Sequence, residues 1–122
     1  MRGLQRLARV GCWLAILLAY VAALLPQREA PHLGGSDKLD HMAAFLVISF
    51  LARLAYRAVP VWVLWLLVVA FGGFIEASQA LPFIGRDAEW GDWIADSVAA
   101  ALGLGFAWPV LAWWRSAGVR AK

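Results

Sequence analysis

The sequence predicts an all-α, polytopic membrane protein, a bundle of four transmembrane helices with both termini on the cytoplasmic side. Three observations carry this reading. The 122 residues are 63% hydrophobic and only 16% charged, with a mean hydropathy of +0.70, whereas a soluble domain carries about 25% charged and about 45–50% apolar residues. The apolar residues gather into runs near the ~20 residues that a helix rising ~1.5 Å per residue needs to cross a ~30 Å hydrocarbon core. The bases stand at the ends of those runs. This composition excludes a soluble globular enzyme, and so much apolar surface excludes a disordered chain. The single cysteine, Cys12, excludes an internal disulfide or a multi-cysteine metal site. The net charge of +3 and the pI near 9.6 do not indicate nucleic acid, because nucleic-acid binders cluster Lys and Arg on a soluble face.

The first span, residues 7–25, is flanked by Arg2, Arg6 and Arg9 and stopped by Pro26. It reads as a retained helix rather than a signal peptide, being long for a signal core and followed by a poor cleavage site at Ala22, Ala23 and Leu24. Cys12 lacks the aliphatic residues that a lipoprotein site would place before it and reads as a small buried residue. The second span, 39–56, is the most polar, with Asp40 and His41 at its start and Arg53 near its end. The short connection 57–60 predicts that it lies antiparallel beside the third span, 61–81, where Pro60 suits a helix start and Pro82 a stop. Gly73 and Ala77 on the third span, and Ala99 and Gly103 on the fourth, 93–114, are small-xxx-small pairs that let helices approach closely.

Orientation follows from the charges. With both termini inside, the inner side carries Arg2, Arg6, Arg9, Arg53, Arg57, Arg115, Arg120 and Lys122, against Arg28, Lys38 and Arg86 outside. All eight acids, Glu29, Asp37, Asp40, Glu76, Asp87, Glu89, Asp92 and Asp96, fall outside. Trp62, Trp65, Trp113 and Trp114 mark an inner aromatic belt, and Trp90 and Trp93 an outer one. Arg53 and Arg57 read as anchors that snorkel to headgroups.

Few polar residues lie within the spans. Glu76 stands five residues before Leu81, about 7 Å below the outer end of its helix, and Gln79 shares its face. An ionised carboxylate there costs several kcal/mol unless paired or hydrated, so it must face the bundle interior or a water-filled mouth. Asp92 and Asp96, four apart, repeat the arrangement on the fourth span, and Asp37, Lys38 and His41 repeat it on the second. Arg86, in the connection before the fourth span, stands over them. The expectation is that Asp37, Lys38, His41, Glu76, Gln79, Arg86, Asp92 and Asp96 converge into one outward-facing pocket. Taken singly, Asp37 and Asp92 are also explained as acids interacting with a helix N-terminus, His41 as a hydrogen-bond partner, and His32 as an exposed loop residue. No zinc helix, phosphate-binding glycine loop or cysteine pair is present. Ser36 and Ser78 lack the local sequence of an activated nucleophile. Oxygen ligands would suit a hard divalent cation, but Arg86 and Lys38 already supply counter-charge, so neither metal nor cofactor is expected.

The order of these pieces, Asp37-Lys38 and His41 entering a span, Glu76 and Gln79 with Arg86 seven residues on, then Asp92 and Asp96 leading to Gly103, resembles the VanZ-like family of small bacterial membrane proteins. The resemblance covers residues 37–105. Three positions depart from it: the family often has Asn where Asp96 stands, Tyr where Phe45 stands and Gly where Ala99 stands. It implies a multi-pass protein of the bacterial inner (plasma) membrane, in a family whose named member is associated with resistance to the glycopeptide teicoplanin. It carries over no settled reaction.

Two functions fit the pocket. One is a non-enzymatic protein that binds an envelope component, a lipid-linked cell-wall intermediate or an amphiphilic drug. The other is a small membrane enzyme with His41 or Glu76 as general base, and Arg86 and Lys38 stabilising an anionic transition state. An acidic mouth repels phosphate unless its carboxylates are paired or protonated, which favours binding. Transport needs a polar path, and the inner halves of the spans supply none. In intact cells, Arg86→Cys is expected to react with a membrane-impermeant thiol reagent; reaction only after lysis overturns the orientation.

Overall fold

The structure, a computed structural model, describes residues 2–25, 37–82 and 90–120, and of residues 37, 38, 119 and 120 the backbone alone. The described residues form four helices, α1 (Arg2–Leu24), α2 (Asp37–Ala55), α3 (Val61–Gln79) and α4 (Trp90–Arg120). α1 and α4 extend beyond their apolar runs, because a helix continues through interfacial Arg and Trp residues until something breaks its hydrogen bonds. α4 even accommodates Pro109, which lies on its exposed side. α3 stops at Gln79, two residues short of the apolar run, where the Ala80 N–H still reaches the Glu76 carbonyl.

α1, α3 and α4 are long and apolar enough to cross a membrane. α2 carries Asp37, Lys38, Asp40 and Arg53 within its 19 residues and does not meet that measure. Its surroundings differ accordingly. α2 packs most extensively on α4, then on α1, and also touches α3, and between Leu39 and Ala55 its exposed positions are Leu39, Ala43 and Val47. These residues stand four apart and form one apolar stripe.

The same inversion holds throughout. Leu7, Val10, Trp13, Leu14, Leu17 and Leu18 of α1 are exposed, as are Leu66, Leu67 and Phe74 of α3 and Ile94, Val98, Leu102 and Phe106 of α4. The buried positions are enriched in small residues: Ala8, Cys12 and Ala23 on α1, and Ala99, Ala100 and Ala107 on α4. Soluble bundles bury their large apolar side chains and expose polar ones; this bundle turns large apolar side chains outward and packs backbones closely, as helices in lipid do.

Two devices hold the helices together. Gly103 of α4 lies against α2 so closely that a Cβ there would collide with the Ser49 hydroxyl and the Leu46 carbonyl, so only glycine permits this approach. The Ala99/Gly103 expectation is met. α3 and α4 are joined by reciprocal indole bonds: Trp65 Nε1 donates to the Ser97 carbonyl at 3.0 Å, and Trp93 Nε1 donates to the Val69 carbonyl at 2.9 Å. The donors and acceptors are four residues apart on each helix, which sets an antiparallel register.

Several sequence expectations change here. α2 and α3 are neighbours as expected, with Phe45 and Phe71 ring centroids 5.7 Å apart, and the glycine contact makes α4 the more extensive partner of α2. Trp65 and Trp93 have a further role, because each indole N–H reaches a carbonyl on the neighbouring helix. Ala77 is exposed, so the Gly73/Ala77 pair is not the close contact on α3. Gly72 is, its Cβ position lying 3.1 Å from Trp93 Cδ1 and 3.3 Å from Phe45 Cε1. Arg53 and Arg57 do not simply snorkel: Arg53 Nη1 donates to the Arg57 and Val59 carbonyls at 3.0 and 3.1 Å, and the Arg57 guanidinium lies 5.2 Å over the Trp114 ring.

Gly103→Ala is expected to destabilise the bundle by about 1–3 kcal/mol through overpacking, read as a lower thermal midpoint in detergent. Gly105→Ala, where nothing lies within 4 Å of the added carbon, is expected to leave the midpoint unchanged.

Candidate functional site

Four polar side chains are buried among the described residues, Ser49, Glu76, Gln79 and Asp96. The last three belong to the end of the bundle where α1 and α3 finish and α2 and α4 begin. Their direction follows from helix periodicity. The buried positions of α3 are Leu64, Val68, Gly72, Ile75, Glu76 and Gln79, spaced by three or four, so the stripe that packs the core at mid-helix carries the carboxylate inward at its end. Glu76 is 1% exposed and Gln79 3%. α4 repeats this pattern, its stripe of Ala99, Ala100, Gly103 and Leu104 continuing up to Asp96, 2% exposed.

The close approach at Gly103 holds α2 and α4 parallel, and one consequence is a pairing at this end. His41 Nδ1 lies 3.8 Å from Asp96 Oδ2, with the imidazole 13% exposed. That distance is within range of an ion pair but beyond a direct hydrogen bond. Phe45 against Gly72 fixes the antiparallel level of α2 and α3, and one turn toward this end brings residues 41 and 76 to the same height. Asp92, half-buried, stands one turn before Asp96, in the first turn of α4.

Gln79 acts as a cap. Its Nε2 donates at 3.0 Å to the carbonyl of Ala23, in the last turn of α1, where the helix has no donor of its own to offer. Beside it, Tyr20 Oη and Ser78 Oγ lie 3.0 Å apart. The Ser78 hydroxyl donates to the Phe74 carbonyl at 2.9 Å, which leaves Tyr20 as the donor in the pair. Tyr20 was not among the candidates; a single tyrosine near the outer end of an apolar run was the signal available.

The structure therefore brings His41, Glu76, Gln79, Asp92 and Asp96 to one end, together with the backbone of residues 37 and 38 in the first turn of α2. Arg86 and the side chains of Asp37 and Lys38 lie outside the described residues. Among the described residues, no three His, Cys, Asp or Glu side chains form a group able to hold a metal ion. Chemically, this end presents carboxylates, an amide and an imidazole in a nearly dry surrounding, where each hydrogen bond or ion pair is worth more than it would be in water. At its edge Trp90, exposed, meets Trp93 edge to face, with centroids 5.8 Å apart. In comparisons with protein families, curated proteins and solved structures, none matches this chain.

Proposed function

We propose that this chain is a VanZ-like protein of the bacterial inner membrane, with four spans, both termini cytoplasmic, and an outward-facing site that binds a component of the cell envelope. The observation that carries the reading is the concentration of buried polar side chains, Glu76, Gln79 and Asp96, at one end of a bundle whose outer surface is apolar. A carboxylate is costly in such a place, and packing alone would be served better by leucine. The apolar stripe Leu39, Ala43 and Val47 supports α2 as the fourth span, since Asp40 and Arg53, both partly buried, are then turned away from lipid.

The donor and acceptor set indicates what is bound. Glu76, Asp92 and Asp96 accept hydrogen bonds and attract cations, so a ligand carrying hydroxyl, amide or ammonium groups is matched. The exposed Trp90 ring at the edge suits the apolar part of an amphiphile. A lipid-linked cell-wall intermediate or a glycopeptide of the teicoplanin type has both parts, and Lys38 and Arg86 would balance the acids around it. The second reading is a membrane enzyme acting on such an intermediate. It is favoured by His41 beside Asp96, since a carboxylate behind an imidazole is the arrangement of a general base, with Glu76 as the other candidate.

Glu76→Gln and His41→Ala, compared with wild type at equal expression, separate the readings. Loss of glycopeptide tolerance with unchanged cell-wall precursors is expected for a binder. Altered precursors point to turnover, and no change in either measurement contradicts the site.

A further inference from the structure

At the opposite end of the bundle, α3 and α4 enclose a groove of about 680 Å³ lined by Arg53, Val61, Trp62, Trp65, Ala101, Leu104, Gly105 and Trp108. Trp65, held to the Ser97 carbonyl, closes it toward the middle of the bundle. The small residues Ala101 and Gly105 keep its wall low, and Trp62 and Trp108, both exposed, stand at its sides. The volume is that of a small-ligand site.

Arg53, from α2, is the one charged residue in the lining. Its Nη1 is fixed by two carbonyls of the 57–60 connection. A guanidinium has five N–H donors, and among the described residues the Nε–H and the two Nη2 hydrogens have no protein acceptor. Those two nitrogens form one edge of the guanidinium plane, the edge that binds a phosphate through two parallel hydrogen bonds. The cation is thus oriented before any ligand arrives, which reduces the entropy lost on binding. A neighbouring groove of about 440 Å³ between α1, α2 and α3, lined by Cys12, Ile48, Phe71 and other apolar or aromatic residues, has no charged lining residue. It could hold hydrocarbon but could not select a headgroup.

We infer that the groove between α3 and α4 binds one anionic phospholipid, with the phosphate on the Nε and Nη2 edge of Arg53 and an acyl chain between Trp62 and Trp108 over Gly105. The site is distinct from the polar end and needs neither Glu76 nor Asp96. Charge complementarity selects the occupant: the groove is apolar except for a fixed cation, and the lipid is apolar except for a fixed anion.

The test is native mass spectrometry of the full chain released from mixed micelles of phosphatidylglycerol and phosphatidylcholine. Wild type is expected to retain phosphatidylglycerol in preference, and millimolar inorganic phosphate is expected not to displace it. Gly105→Leu, which fills open space beside the helix, and Arg53→Gln are each expected to cut retention about tenfold or more. Arg115→Gln, an exposed cation on α4 outside the lining, is expected to change nothing. Because Gly105→Leu leaves Arg53 in place, its result stands even if Arg53→Gln unfolds. Equal retention of the two lipids, full retention by Gly105→Leu, or displacement by phosphate alone overturns the proposal. So does a dimer that Gly105→Leu dissociates, since a second copy would then occupy the groove.

Discussion

Hydrocarbon offers nothing to a carboxylate, an indole N–H or an open backbone carbonyl, so each such group in this chain has to be met by another part of the chain. The bundle is arranged around that requirement. Trp65 and Trp93 reach carbonyls across α3 and α4, Gln79 reaches the end of α1, and Gln5 and Arg9 both donate to the carbonyl of Ala55 at the end of α2. These bonds connect different helices, so satisfying the polar groups and fixing the architecture are one process. Many large apolar side chains, which would drive folding in water, are left to face outward, while Phe45, Ile48 and Ile75 stay within the core.

The two ends of the bundle use this constraint differently. The glycine at 103 draws α2 and α4 together at mid-helix, and at one end the two helices bring His41 beside Asp96. At the other, α3 and α4 leave a groove below Trp65 with the Arg53 guanidinium in its lining. The first end concentrates acceptors in a dry place and the second sets one cation among aromatic rings. α2 supplies a residue to both, His41 at its start and Arg53 near its end, which gives a reason for the most polar helix to be the one enclosed by the other three.

Much of the fold was legible because hydropathy and charge are written locally. Four helices with nearly the expected bounds follow from the apolar runs and from Pro60 and Pro82. The inward direction of Glu76 and Asp96 followed from the cost of exposing a carboxylate to lipid. Partner choice was not legible. That Gly72, rather than the Gly73 and Ala77 pair, is the pinched position on α3 depends on the large rings of Phe45 and Trp93 arriving there from other helices. The helix-joining bonds of Trp65 and Trp93 were not legible for the same reason: a rule about depth takes no account of which carbonyl lies within reach. The capping role of Gln79 likewise depends on α1 ending beside it, a contact 56 residues distant in sequence.

The central claim is that the polar residues of α2 and α4 face each other inside the bundle. Oxidative cross-linking in native membranes tests it most directly, using His41→Cys paired with Asp96→Cys in a chain that also carries Cys12→Ser. Rapid disulfide formation is predicted for this pair, and none when His41→Cys is instead paired with Ile94→Cys, whose position is exposed on the outer face of α4. Cross-linking at 94 and not at 96 would mean that α4 is rotated, that Asp96 faces lipid, and that the site described here does not form.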